Sequence, residues 1–385
     1  MRDARMIRAI VRMLLVASVV GAPWPARAAE DDDAVKQLER SEQVFAGIAA
    51  RVTPTVVTIR RFVKDEAWWA AAHAKKQAAA GWRVTPEADL VVPGHRPKGG
   101  GSGFVVSPDG YILTLRRVVI DPATGKPADA IDVEVGSVHL LAKAVSLEPT
   151  LDLAILKVTP AAPLASAKLG DSAEVGPGSW AIAFGDPDGP EKTMVPGIIV
   201  HQPARECYQD ELSATYLQTS VPVCDGALGG PLVNLHGEVI GINTRRGDSA
   251  AAHGQVAGSG YALPINLPIA IYQSLLTNQS TVSPWLGVSV LRLDDVLRKR
   301  IGEPQCSGVY IDNVFDPSPA SAVGIKVGDI LQSIDGDSVS GVYDFQRLLY
   351  RAGAGKVVKL QVYNTHRTRE LTAKIGVRPP LATTR

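Results

Sequence analysis

A run that reads Gly226-Ala227-Leu228-Gly229-Gly230-Pro231-Leu232-Val233-Asn234 is the most specific pattern in this 385-residue chain. Three glycines surround one central residue, Leu228, and an apolar segment follows. Because glycine adopts backbone conformations that other residues avoid, the pattern predicts a sharp turn that presents the central side chain. Leucine carries no lone pair, so this turn presents no nucleophile.

The pattern resembles the nucleophile loop of chymotrypsin-fold serine proteases, which normally reads GNSGGPL or GDSGGP. In those proteases the central serine attacks the substrate, and backbone amides of the turn bind the developing oxyanion. The resemblance implies that Gly226, Ala227 and Leu228 are the equivalents of that oxyanion loop. Either the resemblance is false, or the chain has a protease frame without its nucleophile.

Residues 101–114, GSGFVVSPDGYILT, predict two strands joined at Asp109-Gly110, a dipeptide that favours hairpins. This stretch closely resembles the HtrA/Deg family of exported proteases, in which the same strands lead to the catalytic histidine. The continuation here is LRRVV at residues 115–119, which places Arg117 where the histidine belongs. A guanidinium stays protonated at neutral pH, so it cannot accept the proton of a nucleophile.

Residues 150–158, TLDLAILKV, resemble the family motif DLA(V/I)LKV, whose aspartate orients the catalytic histidine. Asp152 retains that aspartate. The triad-equivalent positions are therefore Arg117, Asp152 and Leu228, and two of the three are changed. We hypothesise that Arg117 pairs with Asp152, and that Asp152→Asn consequently lowers stability. The alternative is that Arg117 extends into solvent.

The fold implied by the resemblance is mainly β. It consists of a chymotrypsin-like double six-stranded β-barrel over residues 52–280 and an α+β PDZ domain over residues 283–380. Residues 285–290, WLGVSV, resemble the carboxylate-binding loop and following strand of PDZ domains, and residues 318–336 match the bacterial PDZ pattern. The resemblance implies that peptides bind by strand addition at Leu286, Gly287, Val288, Ser289 and Val290.

Two further segments differ in sequence pattern from the barrel and PDZ regions. Residues 29–51 give a helical pattern after an acidic start, and we expect a separate N-terminal segment there. Residues 64–100 interrupt the resemblance to the barrel. They contain a Trp/Ala-rich stretch predicted to be helical and then, from Gly94 to Gly101, a Gly/Pro/Lys stretch predicted to be a linker.

The N-terminus predicts a signal peptide over residues 1–28. Four arginines precede an apolar run from Met13 to Ala22, and Ala26-Arg27-Ala28 matches the small-x-small cleavage pattern. The alternative is an uncleaved anchor, although ten apolar residues are few for a bilayer span. An exported protein of the periplasm or cell envelope is therefore expected.

Three cysteines, Cys207, Cys224 and Cys306, leave at least one thiol unpaired. Cys207 and Cys224 are close enough in sequence to form a disulfide before the Leu228 turn. The alternative is that all three are small buried apolar side chains.

The remaining composition excludes several classes of function. Lys and Arg number 40 and Asp and Glu number 39, which argues against nucleic-acid binding as a main role. No cluster of Cys, His and carboxylates has metal-ligand spacing, and no Gly-rich phosphate loop occurs, so we expect no metal and no cofactor.

Three functions remain open. The first is a pseudoprotease, a proteolytically inactive HtrA-like protein that binds peptides or unfolded exported proteins as a chaperone, regulator or scaffold in protein quality control. The family resemblance implies homotrimers or association with an active HtrA-like protease. The second is an active serine-type endopeptidase with a non-standard mechanism. The third is a PDZ adaptor in which the barrel is only structural.

Overall fold

The computed structural model describes residues 31–78, 92–121, 124–148, 151–186, 192–201, 216–245, 260–278, 283–303, 305–364 and 367–379. Contacts divide the chain into two units, residues 1–47 and residues 48–385. The described part of the first unit belongs to helix α1, Asp31–Val52, which confirms the helical pattern predicted there. The predicted signal peptide lies outside the described residues.

The first barrel contains six antiparallel strands. They are β1 Val56–Lys64, β2 His95–Val105, β3 Tyr111–Leu115, β4 Ala130–Val135, β5 Val138–Glu148 and β6 Leu153–Lys157. The barrel closes in the order β1-β2-β3-β6-β5-β4. Its core combines leucines with aromatic and β-branched residues, which favour strands, and the fully buried side chains include Ile59, Phe62, Phe104, Ile112 and Ile155.

The second barrel also contains six strands. They are β7 Trp180–Gly185, β8 Thr193–His201, β9 Leu217–Thr219, β10 Pro231–Val233, β11 Val239–Thr244 and β12 Gly260–Pro264. The barrel closes in the order β10-β11-β12-β9-β8-β7. Its core includes Ala181, Ala183, Ile199, Leu217 and Ile240, and the two alanines are alternate residues of β7 that face inward.

Three helices accompany the barrels: α2 Glu66–Ala78, α3 Arg116–Val119 and α4 Asn266–Asn278. Helix α2 confirms the helix predicted in the insertion. The barrel domain was predicted from residue 52, but its first strand begins at Val56, because a 3-10 turn with Pro54 at its centre occupies Thr53–Thr55. Proline lacks the N–H that a strand ladder needs.

The linker predicted from Gly94 to Gly101 is wrong for most of its length, because strand β2 begins at His95 and pairs with β1. The glycines there serve close packing between the two strands. A Cβ atom at Gly100 would lie 1.9 Å from the carbonyl oxygen of Ile59. Composition alone therefore suggested a linker where the backbone of β1 needs a neighbour without a side chain.

The PDZ region follows. Its elements are β13 Pro284–Trp285, β14 Val288–Arg292, α5 Asp295–Ile301, β15 Val309–Val314, α6 Pro319–Ala322, β16 Ile330–Ile334, β17 Asp337–Ser338, α7 Val342–Ala352, β18 Val357–Asn364, β19 Arg367–Lys374 and β20 Gly376–Val377. The main sheet has the order β14-β15-β16-β18-β19, and β17 pairs with β16. Strand β14 is therefore an edge strand, and the amphipathic helix α7 buries Phe345, Leu348 and Leu349 in the PDZ core.

The predicted fold class is confirmed: a mainly β chain with two six-stranded barrels followed by a PDZ-type region. In the part of the chain that the structure describes, no helix combines the length and the hydropathy needed to cross a bilayer.

Candidate functional site

Arg117 and Asp152 are in direct contact. Arg117 lies on the short helix α3 after β3, and Asp152 lies in the turn before β6. The backbone N–H of Arg117 donates to Oδ1 of Asp152 at 2.9 Å, and its Nε donates to Oδ2. The N–H of Arg116 donates to the carbonyl oxygen of Asp152 at 2.7 Å. The ion pair predicted from sequence is confirmed, and the solvent-extended alternative for Arg117 is wrong.

The carboxyl of Asp152 is mostly buried, with a side-chain exposure of 12% against 32% for Arg117. Burial raises the pKa of Asp152, and the charge and hydrogen bonds of Arg117 oppose that rise without cancelling it. The backbone of Asp152 is also unusual, with φ of 52° in the left-handed region that aspartate tolerates better than most residues.

Tyr216 lies beside this pair and was missed by the sequence analysis. Burial raises the pKa of the Tyr216 hydroxyl, the negative charge of Asp152 raises it further, and Arg117 lowers it. The only signal in the sequence is an aromatic residue directly before β9, and that signal does not reveal the neighbour. The three side chains form one mostly buried polar group.

The Leu228 turn takes a specific hydrogen-bonded form. Residues Asp225–Ala227 make a single 3-10 turn. The N–H of Ala227 donates to the Cys224 carbonyl at 3.1 Å, and the N–H of Leu228 donates to the Asp225 carbonyl at 3.2 Å. The amide of the central residue, which an oxyanion loop directs at the substrate, therefore has an acceptor within its own turn.

The two following glycines fix the turn against both barrels. The N–H of Gly229 donates to the Asn243 carbonyl at 2.8 Å, and the N–H of Gly230 donates to the Ala227 carbonyl at 3.1 Å. Gly229 has φ of +85°, and a Cβ atom there would lie 2.3 Å from both the Ser102 carbonyl oxygen and Oγ1 of Thr114. This position therefore requires glycine.

Ser102 in β2 connects the first barrel to this turn, and the sequence analysis did not single it out as a functional position. Its N–H donates to the Leu228 carbonyl at 2.8 Å, and its hydroxyl donates to the Gly226 carbonyl at 2.6 Å. The hydroxyl also accepts the N–H of Asp186 at 2.9 Å. One fully buried serine thus orients two carbonyl groups of the loop.

A cluster of charged and polar side chains surrounds Asp186, whose N–H donates to the Ser102 hydroxyl. Nζ of Lys192 lies 3.1 Å from Oδ2 of Asp186, and the side-chain exposures of the two residues are 11% and 0%. The hydroxyl of Thr58 in β1 donates to the same carboxylate oxygen and also contacts the Lys192 amine. This buried group joins the two barrels next to the Leu228 turn, and nothing in the sequence pattern indicated it.

The structure brings the three triad-equivalent positions into one region. A Cβ atom at Gly101 would lie 2.6 Å from the Leu228 carbonyl oxygen and 2.9 Å from a methyl group of Val118. The Leu228 turn and helix α3, which carries Arg117, therefore both pack closely against the same glycine. The region offers a paired guanidinium, a paired carboxylate and an alkyl side chain.

Cysteine and metal chemistry add little at this region. Cys224 is exposed and Cys306 is half-buried, and neither forms a disulfide within the described residues. Cys207 lies outside those residues, so its predicted bond to Cys224 stays a prediction. Across the described ranges, no group of three or more His, Cys, Asp or Glu residues is arranged to hold a metal ion.

The second candidate site is the groove between β14 and α7 in the PDZ region. Leu286, Gly287 and Val288 line it on one side, and Phe345 and Leu349 line it on the other. Within the described part of the chain, the N–H groups of Leu286 and Gly287 donate to no backbone acceptor. Binding of a carboxylate by these two N–H groups stays a prediction.

The two other residues predicted for this site, Ser289 and Val290, lie on the same edge strand. Their side chains are buried, at 6% and 0% exposure, and Val290 belongs to the PDZ core. Neither residue therefore offers an exposed surface to a peptide in this structure.

Comparison with known proteins agrees with this architecture. Residues 101–242 match the family model described as a trypsin-like peptidase domain, and residues 284–375 match that of the PDZ domain. The fold and sites thus define a trypsin-like peptidase domain followed by a PDZ domain. The chain belongs to the HtrA/Deg family.

Its curated relatives include a "Probable periplasmic serine endoprotease DegP-like" of Pseudomonas putida, 32% identical over 280 residues, which are 72% of this chain and 56% of the relative. A protein of the same name from Halomonas elongata is 32% identical over 277 residues, again 72% of this chain and 56% of the relative. The chain spans slightly more than half the length of these relatives.

Two solved structures of the HtrA-type protease AlgW are similar to this chain. The complex with a tripeptide has a TM-score of 0.58 and 26% identity, covering 87% of this chain and 98% of the other. The complex with a decapeptide has a TM-score of 0.57 and 25% identity, covering 87% and 99%.

Proposed function

We propose that this chain is a proteolytically inactive member of the HtrA/Deg family that binds peptides or unfolded exported proteins through its PDZ groove. It would act as a chaperone, regulator or scaffold in protein quality control. The observation that carries the proposal is the contact of Arg117 with both carboxylate oxygens of Asp152. Arg117, a cation, stands where the family has its proton acceptor, and it is paired with the neighbouring Asp152.

General-base chemistry fails at this pair. A serine nucleophile needs a base that can take its proton, and a guanidinium remains protonated at neutral pH. Asp152 faces the Arg117 side chain instead of an imidazole, and Tyr216 beside it is a weaker acid than usual because its pKa is raised. Arg117 therefore cannot serve as the general base, and both oxygens of Asp152 already accept hydrogen bonds from Arg117.

Nucleophilic attack and oxyanion binding fail at the turn. Leu228 offers only an alkyl side chain, and its N–H already donates to the Asp225 carbonyl. Without triad chemistry, a substrate cleft and an oxyanion loop together retain about 10³- to 10⁴-fold acceleration over water. Here the oxyanion contribution is weakened as well, so useful proteolysis is not expected.

Peptide binding is supported by the PDZ region. Strand β14 lies at the edge of its sheet and can accept another strand, and two loop amides next to it lack backbone acceptors within the described residues. The AlgW structures, which are similar in fold and sequence, were solved with a tripeptide and a decapeptide, and this supports peptide binding by the present chain.

The location and the assembly are proposals of the same kind. The basic leader and the cleavage pattern at residues 1–28 and the periplasmic relatives support an exported protein. The family resemblance supports a homotrimer, or association with an active HtrA-like protease. The mass of the purified protein measured by light scattering, alone and mixed with such a protease, tests both forms of assembly.

A casein cleavage assay on the purified wild-type chain, run beside an active HtrA-type protease, tests the inactivity. We expect no turnover. Turnover that Cys224→Ser or Ser220→Ala abolishes would instead establish a non-standard endopeptidase. Fluorescence anisotropy with a labelled peptide and its carboxy-terminal amide tests the groove, and we expect only the free carboxylate form to bind.

A further inference from the structure

The PDZ groove is not made by the PDZ region alone. Two leucines of the protease-like domain line the same cavity as Leu286 and Phe345. One is Leu151, in the turn between β5 and β6, and the other is Leu267, in the first turn of helix α4. Both are largely buried, at 7% and 3% exposure, so they form part of a packed apolar wall.

Hydrogen bonds hold this wall in place at the end of helix α7. Oε2 of Glu148, the last residue of β5, accepts the Tyr350 hydroxyl at 3.2 Å and also the hydroxyl of Ser283. Burial and the charge of Glu148 raise the pKa of Tyr350, so its hydroxyl remains a donor at all physiological pH values. Helices α4 and α7 pack against each other beside these bonds.

The lining of the cavity combines groups that suit an anion with apolar side chains. The N–H groups of Leu286 and Gly287 lie at the loop, and the cationic Arg378 lines the same cavity. Aromatic and leucine side chains line the rest of the cavity. Charge complementarity therefore favours a peptide that ends in a free carboxylate and an apolar side chain.

We infer that Leu151 and Leu267 determine specificity for the carboxy-terminal side chain of the peptide ligand, so the binding pocket is shared by the two domains. This inference rests on the proposed peptide-binding function. It also separates the present protein from a PDZ adaptor with a barrel as mere spacer, because a spacer would contribute nothing to ligand choice. The size of the last side chain is limited by barrel residues as well as by the PDZ helix.

A peptide library tests the inference on the full chain. The probe is a set of ten-residue peptides with free carboxy termini and randomised last three positions, and amidated copies serve as the control. The wild type is compared with Leu151→Ala and Leu267→Ala. Leu276→Ala is the matched variant, since Leu276 lies on the same helix α4 but is 49% exposed and outside the cavity.

We expect both cavity variants to shift selection toward larger terminal side chains and to weaken the best wild-type peptide by about tenfold. Leu276→Ala should leave the selected sequences unchanged. Identical selection by all variants would overturn the inference while leaving peptide binding intact. Tighter binding of every peptide, whatever its last residue, would also overturn it, because the leucines would then cover the groove.

One further variant and one further outcome of the selection keep the test decisive. If Leu267→Ala unfolds, Leu267→Met changes the shape of the wall at nearly constant volume and should still alter selection. If the wild type selects no peptide, and free and amidated forms behave alike, then the proposed function itself fails and the inference falls with it.

Discussion

Arg117 reaches Asp152 with its backbone N–H and its Nε at once, one hydrogen bond to each carboxylate oxygen. This two-point contact satisfies a mostly buried carboxylate from within a single residue. Both oxygens of Asp152 are thus bonded to the residue that stands where the family histidine would lie. Removal of the Arg117 side chain and removal of the Asp152 charge are therefore expected to change the stability of the fold differently.

Removal of the cation is expected to be costly. Arg117→Ala leaves the Asp152 carboxylate buried without its main partner, and we expect a loss of about 1–3 kcal/mol in the free energy of unfolding at pH 7, below the value for fully buried pairs because Arg117 is partly exposed. Urea unfolding measures it. Arg351→Ala is the control, since it removes an exposed pair with Asp337 and should change little.

Removal of the carboxylate charge should have the opposite sign. Burial raises the pKa of Asp152 above its ordinary value of 3.8 despite Arg117. A carboxyl with a raised pKa stabilises the fold below that ordinary value and loses this contribution as the pH rises through its folded pKa. Ionised Asp152 therefore costs stability at neutral pH relative to a neutral side chain of the same shape.

We accordingly expect Asp152→Asn to unfold at the same or a higher urea concentration than the wild type at pH 7. The difference should shrink as the pH falls toward 4 and below. This sign differs from the expectation drawn from sequence alone, which counted the ion pair without the cost of burying it. A clear loss of stability at pH 7 would restore the earlier hypothesis.

Restoration of the two missing triad side chains should not restore the enzyme. Sequence reasoning predicts some cleavage for Arg117→His with Leu228→Ser, provided that the cleft is intact. The N–H of residue 228 donates to the Asp225 carbonyl, so we expect no casein turnover by the double variant above that of Leu228→Ser alone. Turnover above this control would mean that the turn opens when substrate binds.

The turn itself should be sensitive to its glycine. Gly229→Ala places a Cβ atom 2.3 Å from the Ser102 carbonyl oxygen, at a backbone with φ of +85°. We expect a loss of at least about 1–3 kcal/mol, measured by thermal and urea unfolding. Gly176→Ala is the matched control, because nothing lies within 4 Å of its added Cβ and its φ is ordinary.

Much of the architecture could be predicted because short motifs report the fold directly. The Asp109-Gly110 dipeptide within residues 101–114 and the motif around Asp152 led to the prediction of two strands of the first barrel and one ion pair. The linker predicted from Gly94 to Gly101 was wrong because the same glycines suit a flexible linker and a tightly packed strand equally well. Only the position of Ile59 across the ladder distinguishes the two.

The site was less predictable because its support comes from distant residues. Ser102 and Gly226 are 124 residues apart, and Thr58 and Asp186 are 128 apart. No local pattern encodes such contacts, since each residue alone is an ordinary polar side chain. The cavity wall formed by Leu151 and Leu267 escaped prediction for the same reason, because leucine on a helix or beside a strand indicates only a core.

Ser102 bonds to the Leu228 turn through backbone atoms of the turn, the carbonyl oxygens of Gly226 and Leu228. The fold thus separates the identity of the central side chain from the shape of the loop that presents it. An ancestor could exchange that side chain in a single step without unfolding. A catalytic side chain at residue 228 can consequently be lost in evolution with little effect on the fold. Gly229 and Ser102, which shape the loop, cannot be replaced in the same way.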